Sequence, residues 1–190
     1  MSIDYLALAN AGVEKLHPYQ PGKPVEELER ELGISNSVKL ASNENPMGLG
    51  AKARAAIERA LPELARYPDA NGFALKSKLS EKLGVNTDQL ILGNGSNELI
   101  DLIYHTFVSP GQQVVFSQYT FIVYAMATQA HGAEAVVVPA KDFGHDLDAM
   151  AAAITEQTKL VCITNPNNPT GTFLTKTELA AFLARVPEQV

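Results

Sequence analysis

The chain contains a single cysteine, Cys162, so an internal disulfide is excluded. Cys162 lies within Leu160-Val161-Cys162-Ile163, with no histidine or second thiol beside it, and reads as core rather than as a reactive thiol. Uninterrupted apolar runs approaching the ~18–20 residues of a membrane span are missing, so no membrane association is expected. Basic residues are the minority, 15 Lys and Arg against 21 Asp and Glu, for a formal charge of −6 spread along the chain. That balance leaves no electrostatic footprint for a polyphosphate backbone, and nucleic acid is not an expected partner. The first residues lack a basic region, a continuous apolar region and a small-residue cleavage site, so no secretory signal is expected and the cytoplasm is the expected compartment. His17, His105, His131 and His145 show no metal-ligand spacing. There is no fixed-period repeat and no low-complexity tract. With 46% apolar and 19% charged residues over 190 positions, the composition is that of one large globular domain or two small ones.

Residues 1–47 are broken by Pro18, Pro21, Pro24 and Pro46 into short pieces around one predicted helix, Val25 to Leu32, started by Pro24 and stopped by Gly33. This stretch reads as an arm. Helical patterns follow from Gly50 to Pro62 and through Leu75, Leu79 and Leu83 to Gly84. After Asn86 the pattern alternates. Short apolar strands are predicted at 89–92, 113–116, 135–139 and 159–164, with helices at 96–107, 121–131 and 146–154 and a last one from the capping-box string Thr175-Lys176-Thr177-Glu178. Alternation of this kind is the signature of βαβ units, hence an α/β fold with a mostly parallel sheet and helices on its faces. Val136-Val137-Val138 fits burial on both faces. A sheet ending on a helix at Val190 suggests a fragment, although a complete four-stranded α/β protein is also compatible with the pattern.

Two strings carry chemistry. Gly93-Asn94-Gly95-Ser96-Asn97-Glu98 stands between a predicted strand and a predicted helix, where free N–H groups and the helix dipole attract an anion such as phosphate. It is neither the dinucleotide fingerprint, since Glu98 takes the place of the third glycine, nor a Walker loop; an ordinary strand-to-helix turn fits the string equally. Asn165-Pro166-Asn167-Asn168-Pro169-Thr170-Gly171 follows the last predicted strand at its carboxyl end, where open α/β sheets place ligands. Its two Asn-Pro pairs restrict the backbone, and either bond can be cis. Asp142-Phe143-Gly144 spells a kinase triplet without the rest of the kinase set, so chance explains it. His145 among Asp142, Asp146 and Asp148 reads as a solvated loop, and Lys76, Lys78 and Lys82 as an exposed helix face.

Taken together with Arg66-Tyr67-Pro68 and Tyr119-Thr120-Phe121-Ile122-Val123-Tyr124, these strings resemble the fold-type I pyridoxal-phosphate aminotransferases. Leu16-His17-Pro18-Tyr19-Gln20-Pro21-Gly22 and Leu40-Ala41-Ser42-Asn43-Glu44-Asn45-Pro46-Met47-Gly48 look like the histidinol-phosphate aminotransferase branch, so the resemblance covers essentially the whole chain. It implies a three-layer αβα large domain, with 1–47 as arm and start of a small domain and 48–190 as a partial cofactor domain. It implies the cofactor phosphate on Gly95, Ser96 and Asn97, the ring stacked on Phe121 and the pyridoxal O3′ at Asn168. Tyr119 replaces a usual proline, and Phe121 a common tyrosine, which keeps stacking and loses a hydroxyl. Pro169 matches a position that is cis in relatives.

Tyr67 matches a tyrosine reaching the cofactor phosphate of a second subunit, which implies a homodimer, and Tyr19 and Asn43 match positions near the substrate. The family's Schiff-base lysine, its pyridine-nitrogen aspartate and its substrate arginines have no counterpart here, which implies that they lie beyond residue 190. The implied activity is amino transfer between glutamate and imidazole-acetol phosphate, interconverting histidinol phosphate and 2-oxoglutarate with them, in histidine biosynthesis. The implied role of this chain is the amino-terminal fragment, inactive by itself. An aromatic aminotransferase, a threonine-phosphate decarboxylase-like enzyme and a non-catalytic phosphate-binding α/β module are the alternatives.

Overall fold

A computed structural model describes residues 4–19 and 22–190. Its helices are α1 (Ala11–Glu14), α2 (Val25–Leu32), α3 (Ala51–Ala60), α4 (Phe73–Leu83), α5 (Ser96–Phe107), α6 (Val123–Ala130), α7 (Leu147–Ala152) and α8 (Lys176–Leu183). The strands are β1 (Gln113–Ser117), β2 (Glu134–Val138) and β3 (Thr158–Cys162). Contacts divide the chain into a unit of residues 1–17 with 93–190 and a unit of 18–92, so the expected boundary at 47/48 falls inside the second.

The first unit is a parallel sheet in the order β2-β1-β3. Alternation along β1 sorts its side chains onto two faces. Val114 and Phe116 pack with Tyr104 of α5, Ala127 of α6 and Cys162, while Val115 packs with Val138, Met150 of α7 and Phe182 of α8. Three layers result, with β1 buried on both sides. Each fully buried aliphatic side chain of this kind contributes about 1.5–3 kcal/mol, which makes β1 the strand that fixes the register of the others. The arm's first helix belongs to this unit. Gly12 carries no side chain because α6 lies against it: a Cβ there would sit 2.2 Å from the Gln129 carbonyl oxygen.

Two strand expectations need correction. Residues 89–92 form no strand: Thr87–Gln89 is a 3-10 turn closed by a capping box from Asn86, and Leu90, though extended, has no neighbouring strand to complete a ladder. Apolar composition sets an extended backbone there, but a strand also needs a partner. Val137 is 51% exposed rather than buried, because β2 is an edge strand whose Val137 face is left uncovered. The helix expected at 121–131 starts two residues later, at Val123.

The second unit contains α2, α3 and α4, and none of its described residues is buried. Its helix ends follow local chemistry. Gly33 and Gly84 stop α2 and α4 in the left-handed conformation. Asp69 accepts from the N–H groups of Phe73 and Asn71 at 2.7 and 3.0 Å, and those bonds hold its carboxyl below the usual range. No described helix is long and apolar enough to cross a membrane.

Candidate functional site

Because α5 reaches β1 through the short connection 108–112, the amino end of α5 lies on the same side of the sheet as the carboxyl ends of β1 and β3. Three segments therefore lie at the carboxyl end of the sheet: the turn 93–97, the loop 118–122 after β1, and the loop 163–174 after β3, the last two joined by a hydrogen bond.

The turn is built on Gly95, at φ 83° and ψ 176°, a backbone region that glycine alone occupies without strain. No side chain caps α5, so the first N–H groups of the helix, at the exposed residues Ser96 and Asn97, have no side-chain acceptor. Asn94 is held by Glu98, whose carboxylate accepts from the Asn94 backbone N–H at 2.5 Å and from its side-chain amide at 3.1 Å. The one acid in the first turn is thereby committed to bracing the turn. The Gly95 N–H is taken by the Gly93 carbonyl at 3.0 Å, so Gly95 shapes the turn and the unpaired donors at the positive end of this 12-residue helix are those of Ser96 and Asn97, which suit a phosphate dianion.

In the Asn165–Gly171 loop the three asparagines separate by role. Asn165 closes the base, donating from Nδ2 to the Leu174 carbonyl at 3.0 Å and accepting from the Leu174 N–H at 2.8 Å. Asn167 is 4% exposed; its Nδ2 donates to the Tyr119 carbonyl at 2.6 Å and to Thr170 Oγ1 at 2.7 Å. Asn168 is half-buried, and among the described residues its side-chain amide makes no hydrogen bond. Of the three side-chain amides in the loop it is the one left unbonded. Both Asn165-Pro166 and Asn168-Pro169 are cis.

Phe121 is half-buried, with its ring 6.2 Å edge-to-face from that of Tyr124. Behind it Tyr104 is fully buried, its hydroxyl bonded to the Tyr124 carbonyl, Thr128 Oγ1 and Cys162 Sγ at 3.2, 3.1 and 3.6 Å. Burial pushes the Tyr104 hydroxyl far up from its usual range, and the Cys162 thiol to about 11. Both are structural groups in their neutral forms. Thr120 Oγ1 and Asn167 Oδ1 are buried without a partner among the described residues.

Gly95, Ser96, Asn97, Phe121 and Asn168 thus belong to one unit and one sheet edge. Tyr19, Asn43 and Tyr67 belong to the other unit, where all three are exposed and Tyr67 fully so. Gln20 and Pro21 of the arm string lie outside the described residues. Lys39, beside Asn43, pairs with Glu44 at 2.5 Å. Sequence reasoning missed Asn167, Tyr124 and Thr164: hydroxyls and amides whose partners are 40 or more positions away leave no local pattern.

The family described as aminotransferase class I and II matches residues 35–189. A histidinol-phosphate aminotransferase of Mannheimia succiniciproducens is 58% identical over 98% of this chain and 51% of its own length; one of Haemophilus influenzae is 55% identical over 99% and 51%. Among solved structures, histidinol-phosphate aminotransferase from Sinorhizobium meliloti in complex with pyridoxal 5′-phosphate superposes with a TM-score of 0.84 at 28% identity, covering 95% of this chain and 48% of that one. The chain spans about half the length of the curated relatives it matches.

Proposed function

The chain belongs to the class I and II aminotransferases, and from that footing we propose that it is the amino-terminal half of a pyridoxal-phosphate-dependent histidinol-phosphate aminotransferase. The observation that carries this reading is the single sheet edge holding an uncapped helix start, a half-exposed ring and an unbonded amide. Those three features match the phosphate, the pyridine face and the phenolic oxygen of the cofactor.

In this reading the N–H groups of Ser96 and Asn97 hold the phosphate and the Phe121 ring covers one face of the pyridine. Asn168 donates from its amide to O3′, keeping negative charge on that oxygen. Bound there, pyridoxal phosphate supplies the electron sink for chemistry at the amino-acid α-carbon. This chain's residues bind and orient; among its lysines none has an amine held at the site, and the proton-moving lysine belongs to the other half of the enzyme. Tyr67, exposed over its whole ring, is the residue we assign to the phosphate of a second subunit in a homodimer, with Tyr19 and Asn43 at the substrate end. The small-molecule substrates are glutamate as donor with imidazole-acetol phosphate, a ketone, as acceptor, and in reverse histidinol phosphate as donor with 2-oxoglutarate, in the cytoplasm.

A side-by-side assay of a full-length version tests the branch. Imidazole-acetol phosphate is expected to be the preferred acceptor from glutamate; preference for an aromatic keto acid, or release of carbon dioxide from a phosphorylated threonine, points to the alternatives and refutes the assignment.

A further inference from the structure

The stacking ring and the free amide sit on different loops, and a flat cofactor bound by both needs those loops at a fixed separation. Two side-chain bridges join them. Asn167 Nδ2 donates across to the Tyr119 carbonyl at 2.6 Å, and the Tyr124 hydroxyl shares a hydrogen bond with Thr164 Oγ1 at 3.0 Å. The bridges come from opposite directions, one from the β3 loop to the backbone beside Phe121, the other from α6 to the residue just before Asn165. Each end is fixed further. The Thr164 carbonyl bonds to His145 Nε2 at 3.0 Å, and the Asn167 backbone is held by Thr172 and Gly171 at 2.7 and 2.8 Å. The orientation of the Asn167 amide follows from its partner, since a carbonyl acceptor demands the NH₂ group. The Asn167 NH₂ group is thus committed to protein acceptors, while its Oδ1 is buried without a partner among the described residues.

We propose that Asn167 and Tyr124 are positioning residues that tie the 119–124 segment to the 163–171 segment, so that Phe121 and the Asn168 amide keep one relative placement. The proposal deepens the reading of this edge as a cofactor site and rests on it for the ligand, though not for the coupling of the loops. Breaking either bridge leaves both ligand-facing groups in place but uncouples them.

Hydrogen–deuterium exchange of the 190-residue chain tests the coupling, and binding of pyridoxine 5′-phosphate, which has no aldehyde and needs no lysine, tests its consequence. Tyr124→Phe and Thr164→Val are expected to raise exchange in both 118–124 and 165–172 by about threefold to tenfold, the equivalent of one ordinary hydrogen bond. Thr164→Ser is expected to behave as wild type. Asn167→Ala is expected to do the same as the first two more severely, and the milder pair decides the matter if it fails to fold. Pyridoxine phosphate affinity falls by a similar factor while that for inorganic phosphate, held by the Ser96 and Asn97 N–H groups, stays unchanged. Exchange that rises only in the substituted segment, or uniformly along the chain, overturns the proposal, as does an equal loss for both ligands. Wild-type protein that binds phosphate but gains nothing from the pyridine ring refutes the cofactor reading of Phe121 and Asn168, and the exchange data still decide the coupling.

Discussion

Gly95→Ala probes the phosphate turn with the least chemical change. A Cβ at Gly95 would meet nothing within 4 Å, so no steric clash contributes. The cost is conformational, because φ 83° with ψ 176° lies where a residue with a Cβ is strained by about 1–3 kcal/mol. Alanine recovers at most about 1 kcal/mol by restricting the unfolded chain. The net loss is therefore about 0–3 kcal/mol, or up to roughly 12 °C in Tm for a chain of this size. Relaxation of the turn would spare part of that stability but swing the Ser96 and Asn97 N–H groups apart. Loss of one charge-assisted hydrogen bond weakens phosphate binding by roughly tenfold to a hundredfold. Urea unfolding and calorimetric titration with inorganic phosphate read the two effects. Gly33→Ala is the control, since Gly33 also has positive φ and open space but ends α2 in the other unit. It is expected to lose stability and keep phosphate binding. A Gly95→Ala protein with unchanged unfolding midpoint and unchanged phosphate affinity refutes the argument.

Tyr104→Phe is expected to cost only about 1 kcal/mol in urea unfolding, because Thr128 Oγ1 still donates to the Tyr124 carbonyl at 2.7 Å and no strong group is orphaned; a loss above about 3 kcal/mol contradicts that. Cys162 should resist a thiol reagent at pH 8 until denaturant is added, and immediate labelling of the native chain contradicts its burial. Its folded pKa of about 11 is raised, so its stabilising contribution is complete below the ordinary thiol range and lost as pH climbs toward 11. The unfolding midpoint should fall over that interval. Borohydride reduction of the chain with pyridoxal 5′-phosphate should label no single lysine stoichiometrically, Lys39 included since it pairs with Glu44; one fully labelled lysine overturns the placement of the amine in the other half.

Much of the sheet unit is legible in the sequence because its signals are local. Thr175 and Glu178 make the expected capping box, with Thr175 N–H and Oγ1 both bonded to the Glu178 carboxylate at 2.7 and 2.6 Å. Those bonds also hold the Glu178 carboxyl below its usual range. The 96–107 and 25–32 helices carry their stop and start residues within one turn. Pairing is not local: Leu90 to Leu92 read as a strand on composition, yet nothing in their sequence names a neighbour. Edge position is equally invisible, since Val136-Val137-Val138 reads the same in an edge strand as in a central one. At the site, Gly95 and the Asn-Pro loop announce themselves by residue type. Which asparagine amide stays unbonded does not, because the choice depends on Leu174 and Tyr119 occupying the other two.

The central claim is that this chain holds the cofactor by its phosphate, ring and O3′ without supplying the amine. Titration of ¹⁵N-labelled chain with pyridoxal 5′-phosphate, followed by amide NMR, tests it most directly. Saturable shifts are expected at the Ser96 and Asn97 backbone amides and at the Asn168 side-chain NH₂, with inorganic phosphate moving only the first two. Saturation of binding while those signals stay fixed, or shifts confined to the surface lysines, would contradict the account.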